Sequence, residues 1–206
     1  GAAYCWGLNF WGQLGDATFV DSPAPVAVSG GLTFQSLELG RYHTCGVTTV
    51  GDLYCWGGGF EGQIGDGTFS NRNTPTFIGT YGDVGAGSRH TCAISGSTGY
   101  CWGDNGFGQI GNGTVTSNEL LPVAVGSGGS PLFQQIAAGT GFSCGVTTSG
   151  VAHCWGENSE GQGGAGFRSI EATPVQVTGG LVLQAPPALL SPARRGAKTL
   201  PSSLRR

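Results

Sequence analysis

One tripeptide, Cys-Trp-Gly, recurs four times along this chain and constrains its fold more than any other feature. It stands at Cys5-Trp6-Gly7, Cys55-Trp56-Gly57, Cys101-Trp102-Gly103 and Cys154-Trp155-Gly156, at spacings of 50, 46 and 53 residues. Six residues after each Trp comes Gly-Gln (Gly12-Gln13, Gly62-Gln63, Gly108-Gln109, Gly161-Gln162), followed by a further glycine at Gly15, Gly65, Gly111 and Gly164. Each copy then reaches a proline-led run: Pro25–Val28, Pro75–Ile78, Pro122–Val125 and Pro174–Val177. Motifs that stay in register over four copies mark an internal repeat of one supersecondary unit.

Composition says what that unit is made of. Glycine supplies 41 of 206 residues, and charged residues only 10%. Glycine costs about 1 kcal/mol per helix position relative to alanine, so a helical bundle is excluded. Collagen needs glycine at every third residue, which is not the pattern. No apolar run reaches the length of a membrane-spanning helix. Five Trp and ten Phe supply a core, so simple disorder does not fit either. Short strands joined by glycine-rich turns remain.

Each repeat reads as four such strands. The proline-led run suits a sheet edge, because proline has no N–H to give a ladder. A second strand ends in glycine, as in Phe34–Gly40 and Phe133–Gly139. The third carries His-Thr-Cys or its equivalent (Tyr42–Thr48, His90–Ser95, Phe142–Thr147), and the fourth carries Leu53–Gly57 and its copies. Tight turns join these last two, at Thr49–Asp52, Gly96–Gly99 and Thr148–Gly150. A four-stranded repeat of about 50 residues that cannot bury its own faces is the unit of a β-propeller. The expected fold is all-β: a partial propeller of about 3.5 four-stranded blades over residues 1–180. A disordered basic Pro/Ala/Arg-rich tail over 181–206 follows. Trp6, Trp56, Trp102 and Trp155 are the expected blade-core residues.

The seven cysteines fit the same scheme. Cys45 with Cys55, Cys92 with Cys101, and Cys144 with Cys154 each flank one hairpin turn. Opposed residues of an antiparallel pair stand about 4.5–5.5 Å apart, within disulfide range. The expectation is three disulfides, which places the chain in an oxidising compartment: extracellular, cell-surface or periplasmic. Cys5 would be the second member of a fourth couple whose first member precedes Gly1. Metal is the rival for these residues, with His43, His90 and His153 close to cysteines. However, no Cys-x-x-Cys occurs and Phe142 replaces the histidine in one copy. No metal and no cofactor are expected.

These residues resemble the regulator of chromosome condensation repeat. Gly87-Ser88-Arg89-His90-Thr91-Cys92, Tyr100-Cys101-Trp102-Gly103 and Gly108-Gln109-Ile110-Gly111 form the best copy, and the resemblance covers roughly Tyr4–Val177. It implies a seven-bladed propeller in complete members, which would need about 350 residues at roughly 50 per blade. The doubled cysteines resemble the secreted bacterial branch. Members serve as a nucleotide exchange factor for a small GTPase, an ultraviolet-B photoreceptor and a secreted β-lactamase inhibitor, so fold alone does not fix function.

Charge separates the two parts of the chain. Residues 1–180 hold all twelve acids and four arginines, a net −8; residues 181–206 hold five bases and no acid, a net +5. An acidic body offers little to nucleic-acid phosphates, and no nucleic-acid partner is expected. Val177–Gln184 parallels Val28–Gln35, after which the repeat pattern stops, as a change of reading frame near Gln184 would produce. A half ring would also expose strand edges open to self-association.

No catalytic constellation emerges. There is no Gly-x-Ser-x-Gly elbow and no phosphate loop. Asp66-Gly67-Thr68 and Asn112-Gly113-Thr114 are better explained as turns than as calcium loops. The loops after each Trp do differ between copies. Trp11, Phe69, Arg72, Phe107 and Arg168 lie at those variable positions, and aromatic and Arg residues are the usual interface anchors. The reading is a non-enzymatic extracytoplasmic scaffold for a protein partner, a fragment of a larger repeat protein. The alternatives are an intracellular exchange-factor-like regulator of a small GTPase and a glycan-acting propeller enzyme, for which Asp66, Asp104 and His90 are the candidates.

Overall fold

The computed structural model describes residues 1–115, 118–126, 128, 131–179 and 183. The expected tail over 181–206, and the expected frame change near Gln184, lie outside the described residues save for Leu183.

Fourteen strands form, with no α-helix among the described residues. β3 (Phe34–Leu39), β4 (His43–Thr48), β5 (Asp52–Gly57) and β6 (Arg72–Thr80) make the first four-stranded antiparallel sheet. β7 (Asp83–Ala86), β8 (His90–Ser95), β9 (Thr98–Gly103) and β10 (Glu119–Ala124) make the second. β11 (Phe133–Ala138), β12 (Phe142–Thr147), β13 (Ala152–Gly156) and β14 (Glu171–Gln176) make the third. Ahead of these, β1 (Tyr4–Gly7) and β2 (Ser22–Ala27) pair as a two-stranded sheet. The architecture is a partial β-propeller of about 3.5 blades.

The proline-led strands β2, β6, β10 and β14 all take an outer edge, where a residue without an N–H costs no ladder bond. The middle hairpin is tighter than the sequence suggests: β8 ends at Ser95 and β9 starts at Thr98, leaving a two-residue loop, Gly96-Ser97. That shorter loop is why Cys92 and Cys101 are one residue closer in sequence than the other couples.

Cysteine stands directly opposite cysteine in each complete sheet. Cys45–Cys55, Cys92–Cys101 and Cys144–Cys154 are disulfides with Cα separations of 4.1, 4.1 and 4.0 Å. Cys5 is free and buried.

The core lies between the sheets. Val47, Leu53 and Ile64 meet Val84, Ala93 and Trp102 at one interface. Ile94, Ile110 and Val125 meet Phe133, Ile136 and Trp155 at the next. At about 25 cal/mol per Å² and about 200 Å² per ring, each buried indole contributes about 5 kcal/mol of gross transfer free energy.

Each indole sits in a socket made by the preceding repeat. Trp56 Nε1 donates to the Gln13 carbonyl at 3.1 Å, Trp102 to Gln63 at 3.0 Å and Trp155 to Gln109 at 2.9 Å. The same carbonyls accept from Thr44, Thr91 and Ser143 at 2.8–2.9 Å, so both lone pairs are used. The floor of each socket is a glycine. A Cβ at Gly15, Gly65 or Gly111 would stand 2.5–2.6 Å from the indole nitrogen, and all three have positive φ. The recurring Gly-Gln-x-Gly is therefore a receptor for the next repeat's Trp.

This arrangement corrects one expectation. Trp6 is not a blade-core residue in the described structure: it is 62% exposed, while Trp56, Trp102 and Trp155 are 0–2% exposed. Each buried indole lies against the preceding repeat's Gly-Gln loop, and none of the described residues supplies such a loop beside Trp6.

Candidate functional site: an aromatic and arginine face

The second strand of each sheet begins, and the Cys-Trp-Gly strand ends, at the same end of the blade: His43 pairs with Gly57, His90 with Gly103 and Phe142 with Gly156. The variable loops after each Trp therefore gather on one face, with the tight hairpins at the other.

The loops are fixed from beneath. Asn9, Asn105 and Asn158 are 0–2% exposed, and their side-chain oxygens accept the Leu14, Ile110 and Gly163 amides at 2.9, 3.2 and 2.7 Å. The Asn9 amide nitrogen lies 3.1–3.2 Å from oxygens of Asp16, Thr18 and Val20. Each recurring Gln folds back on its own loop, its side-chain oxygen accepting from Trp11, Glu61, Phe107 or Glu160 N at 2.8–2.9 Å. Rigid turns thus present variable side chains.

Four aromatic rings converge there across two repeats. Trp11 meets Phe10 at 4.7 Å between centroids, Phe60 at 5.1 Å and Tyr42 at 6.3 Å, and Tyr42 meets Phe60 at 5.2 Å. The contacts are edge-on or tilted, as ring quadrupoles favour. The Arg41 guanidinium lies 5.1 Å from the Tyr42 ring centre and that of Arg89 6.0 Å, within cation–π range. Arg89 also faces Glu61 at 3.5 Å, and Glu61 accepts from Asn118 at 2.6 Å. Phe10 is 70% exposed, Arg41 and Arg89 are exposed, and the other rings are half-buried.

The other sequence candidates lie elsewhere. Phe69 is 57% exposed and Phe107 is 41% exposed; neither shares a ring contact with Trp11. Arg72 is tied within its own loop to Asp66 at 2.5 Å. Arg168 is exposed on the outer loop of the last repeat. Phe10, Tyr42, Phe60, Arg41 and Arg89 were not singled out from sequence. Their signal is positional: Tyr42, Arg89 and Gly141 precede the third-strand motif, and Phe10, Phe60, Gly106 and Ser159 fill one loop column. Both columns vary while their neighbours repeat.

The titratable candidates are committed locally. His90 Nε2 meets Ser143 Oγ at 2.8 Å, and His43 Nε2 meets Thr91 Oγ1 at 2.8 Å. Those hydroxyls already donate to the Gln carbonyls, so the imidazoles donate through Nε2–H and are neutral. Burial lowers their pKa values, to about 4 for His43 and to about 3 for His90, where the neighbouring His43 adds to the effect. Asp66 binds Arg72 and Thr68, and Asp104 accepts from the Gly106 amide. Among the described residues, no group of three or more His, Cys, Asp or Glu could hold a metal ion.

Comparison with known proteins places the chain. The regulator of chromosome condensation (RCC1) repeat matches residues 1–47, 50–94 and 100–146, and a second form of the same repeat matches 34–63, 83–109 and 133–162. The chain belongs to the RCC1 repeat family. It is 33% identical over 184 residues to the ultraviolet-B receptor UVR8 of Arabidopsis thaliana, covering 86% of this chain and 42% of that protein. The crystal structure of human WBSCR16 superimposes with a TM-score of 0.75 at 21% identity, over 85% of this chain and 47% of that one. Prp20p of Saccharomyces cerevisiae, whose binding to Gsp1p and histones has been characterised, gives 0.75 at 20% identity, over 87% and 47%. The chain spans a little under half the length of these relatives.

Proposed function

We propose that this RCC1-repeat chain is an exported, non-enzymatic scaffold that binds a protein partner through its loop face. One observation carries the reading: the cluster of Phe10, Trp11, Tyr42 and Phe60 with Arg41 and Arg89 on that face. A contiguous, partly exposed apolar patch marks an interaction site, and aromatic and Arg side chains are the usual anchors. Two of the acidic body's four arginines stand in this cluster. The three disulfides support an oxidising compartment. No helix among the described residues is long and apolar enough to cross a membrane.

The test uses Phe10→Ala and Arg41→Glu, which change exposed side chains. Retention of partners from surface and secreted protein fractions should fall at least tenfold in the double variant, with the unfolding midpoint unchanged. Phe69→Ala should retain them. Equal loss in Phe69→Ala, or no loss in the double variant, would remove the loop face from the account.

A further inference from the structure

The short connections between the first and second strands of the three complete sheets, residues 40–42, 87–89 and 139–141, lie side by side at the inner end of the loop face. They are stitched together: Arg41 N donates to the Gly87 carbonyl at 3.2 Å and Ser88 N to the Gly139 carbonyl at 3.1 Å. Glycine makes that close approach possible, since a Cβ at Gly40 or Gly87 would stand 2.5 Å from the next repeat's carbonyl oxygen. Between the connections is a recess of about 240 Å³ lined by Gly40, Arg41, Gly87, Ser88, Gly139 and Thr140. Its polar side chains come from one column, the residue after each glycine. Ser88 is 9% exposed, while Arg41 and Thr140 are exposed. No acidic side chain lines the recess.

We propose that this recess is the receptor for one carboxylate side chain, carried on an acidic segment of the protein partner. The proposal rests on the loop-face reading above and names the partner's chemistry. Every polar side chain in the recess is able to donate: one guanidinium and two hydroxyls. Thr44, Thr91 and Ser143 commit their hydroxyls to Gln carbonyls, whereas the hydroxyls of Ser88 and Thr140 meet no partner among the described residues. The ion pairs among those residues are Arg72 with Asp66 and Arg89 with Glu61, so Arg41 has no internal carboxylate. An ionised carboxylate only accepts, and the guanidinium fork matches its two oxygens.

The surroundings favour a carboxylate on a polypeptide. The Tyr42 ring that holds the Arg41 guanidinium at 5.1 Å also packs on Trp11 and Phe60, so a segment lying across the aromatic cluster reaches the recess. Arg89 stands over the same ring at 6.0 Å. With Glu61 as the one acid at this place, the cluster is positive on a body of net −8. The loops after Trp102 and Trp155 carry Asp104, Glu157 and Glu160 instead. Like charges there turn an acidic segment away and fix its place over the first two loops, as charge complementarity sets register at an interface.

The experiment titrates the whole chain into a fluorescently labelled hexaglutamate peptide and reads anisotropy, with hexaglutamine as the reference. Hexaglutamate should bind at least tenfold more tightly than hexaglutamine. Arg41→Gln should weaken it at least tenfold and Ser88→Ala at least threefold, while Arg168→Gln, an exposed arginine on the outer loop of the last repeat, should change it less than twofold. Glu61→Gln removes the carboxylate facing Arg89 and should tighten binding at least threefold, a gain that misfolding does not produce. Equal weakening by Arg41→Gln and Arg168→Gln, or no effect of Ser88→Ala, would reduce the recess to diffuse charge and overturn the proposal. Tighter binding of inorganic phosphate than of hexaglutamate would make it a site for a free anion and overturn it too. Partner retention lost in Phe10→Ala but kept in Arg41→Gln and Ser88→Ala would overturn the receptor and leave the loop-face reading standing. Hexaglutamate binding that depends on Arg41 and Ser88, with partners retained in Phe10→Ala, would fail that reading alone.

Discussion

Replacing His43 and His90 by phenylalanine should remove most of the acid sensitivity of this fold. Both rings are fully buried and neutral, each donating to a hydroxyl of the next blade. Burial lowers their pKa values to about 4 and about 3, against about 6.5 in the unfolded chain. A histidine with a depressed folded pKa contributes its full stability above the unfolded value. That contribution is lost as pH falls below about 6.5, because the unfolded state takes up the proton first. At pH 5 the chain is about 1.5 pH units below that value, which at 1.36 kcal/mol per unit is about 2 kcal/mol per ring, or about 4 kcal/mol for both. Burial raises the pKa of Asp83, and burial with the Asp83 charge raises that of Glu38. Those carboxyls act in the opposite direction, so the quantity to read is the difference between wild type and variant. The substitution has a precedent within the chain, since Phe142 occupies the same place in the third sheet. Urea unfolding with disulfides intact, at pH 8 and pH 5, measures the effect. The wild type should lose about 4 kcal/mol more than the double variant on acidification. A difference below about 1 kcal/mol would refute the buried neutral imidazoles.

The sockets and staples give further outcomes. Gly65→Ala drives a Cβ to 2.5 Å from the Trp102 indole nitrogen at a positive φ, and should cost at least about 3 kcal/mol in chemical unfolding. Gly164→Ala, with positive φ and Val177 as the neighbour, should cost about 1–2 kcal/mol. Trp102→Ala should lose about 3–5 kcal/mol, while Trp6→Ala, 62% exposed, should shift stability by less than about 0.5 kcal/mol. The disulfides close loops of 9 or 10 residues, each contributing about 2.7 kcal/mol by the chain-entropy relation. Reduction should therefore unfold the chain well below its oxidised melting temperature.

Much of this fold is legible in the sequence because its constraints are local or repeat at fixed offsets. Proline at Pro25, Pro75, Pro122 and Pro174 marks the outer edge through its missing N–H. Cysteines either side of a tight turn mark opposed strand positions. What one repeat does not show is what its neighbour supplies. Trp6 and Trp102 sit in the same tripeptide, yet only Trp102 meets a Gln63–Gly65 socket, so equal motifs have unequal burial. The aromatic face is likewise made between repeats: Trp11 and Phe10 come from one copy, Tyr42 and Phe60 from the next, about 30 to 50 residues apart. The buried Asn9, Asn105 and Asn158 were legible in principle at three residues after each Trp. Gly59 breaks the column, and a Cβ there would stand 2.0 Å from the Ser70 carbonyl.

Peptide mapping of the native protein by mass spectrometry without reduction tests the disulfide-stapled propeller, and with it the proposed export, most directly. The account predicts peptides linked Cys45–Cys55, Cys92–Cys101 and Cys144–Cys154. Free thiols at these six positions in protein isolated under alkylating conditions would contradict it, and would remove the physical ground for an oxidising compartment.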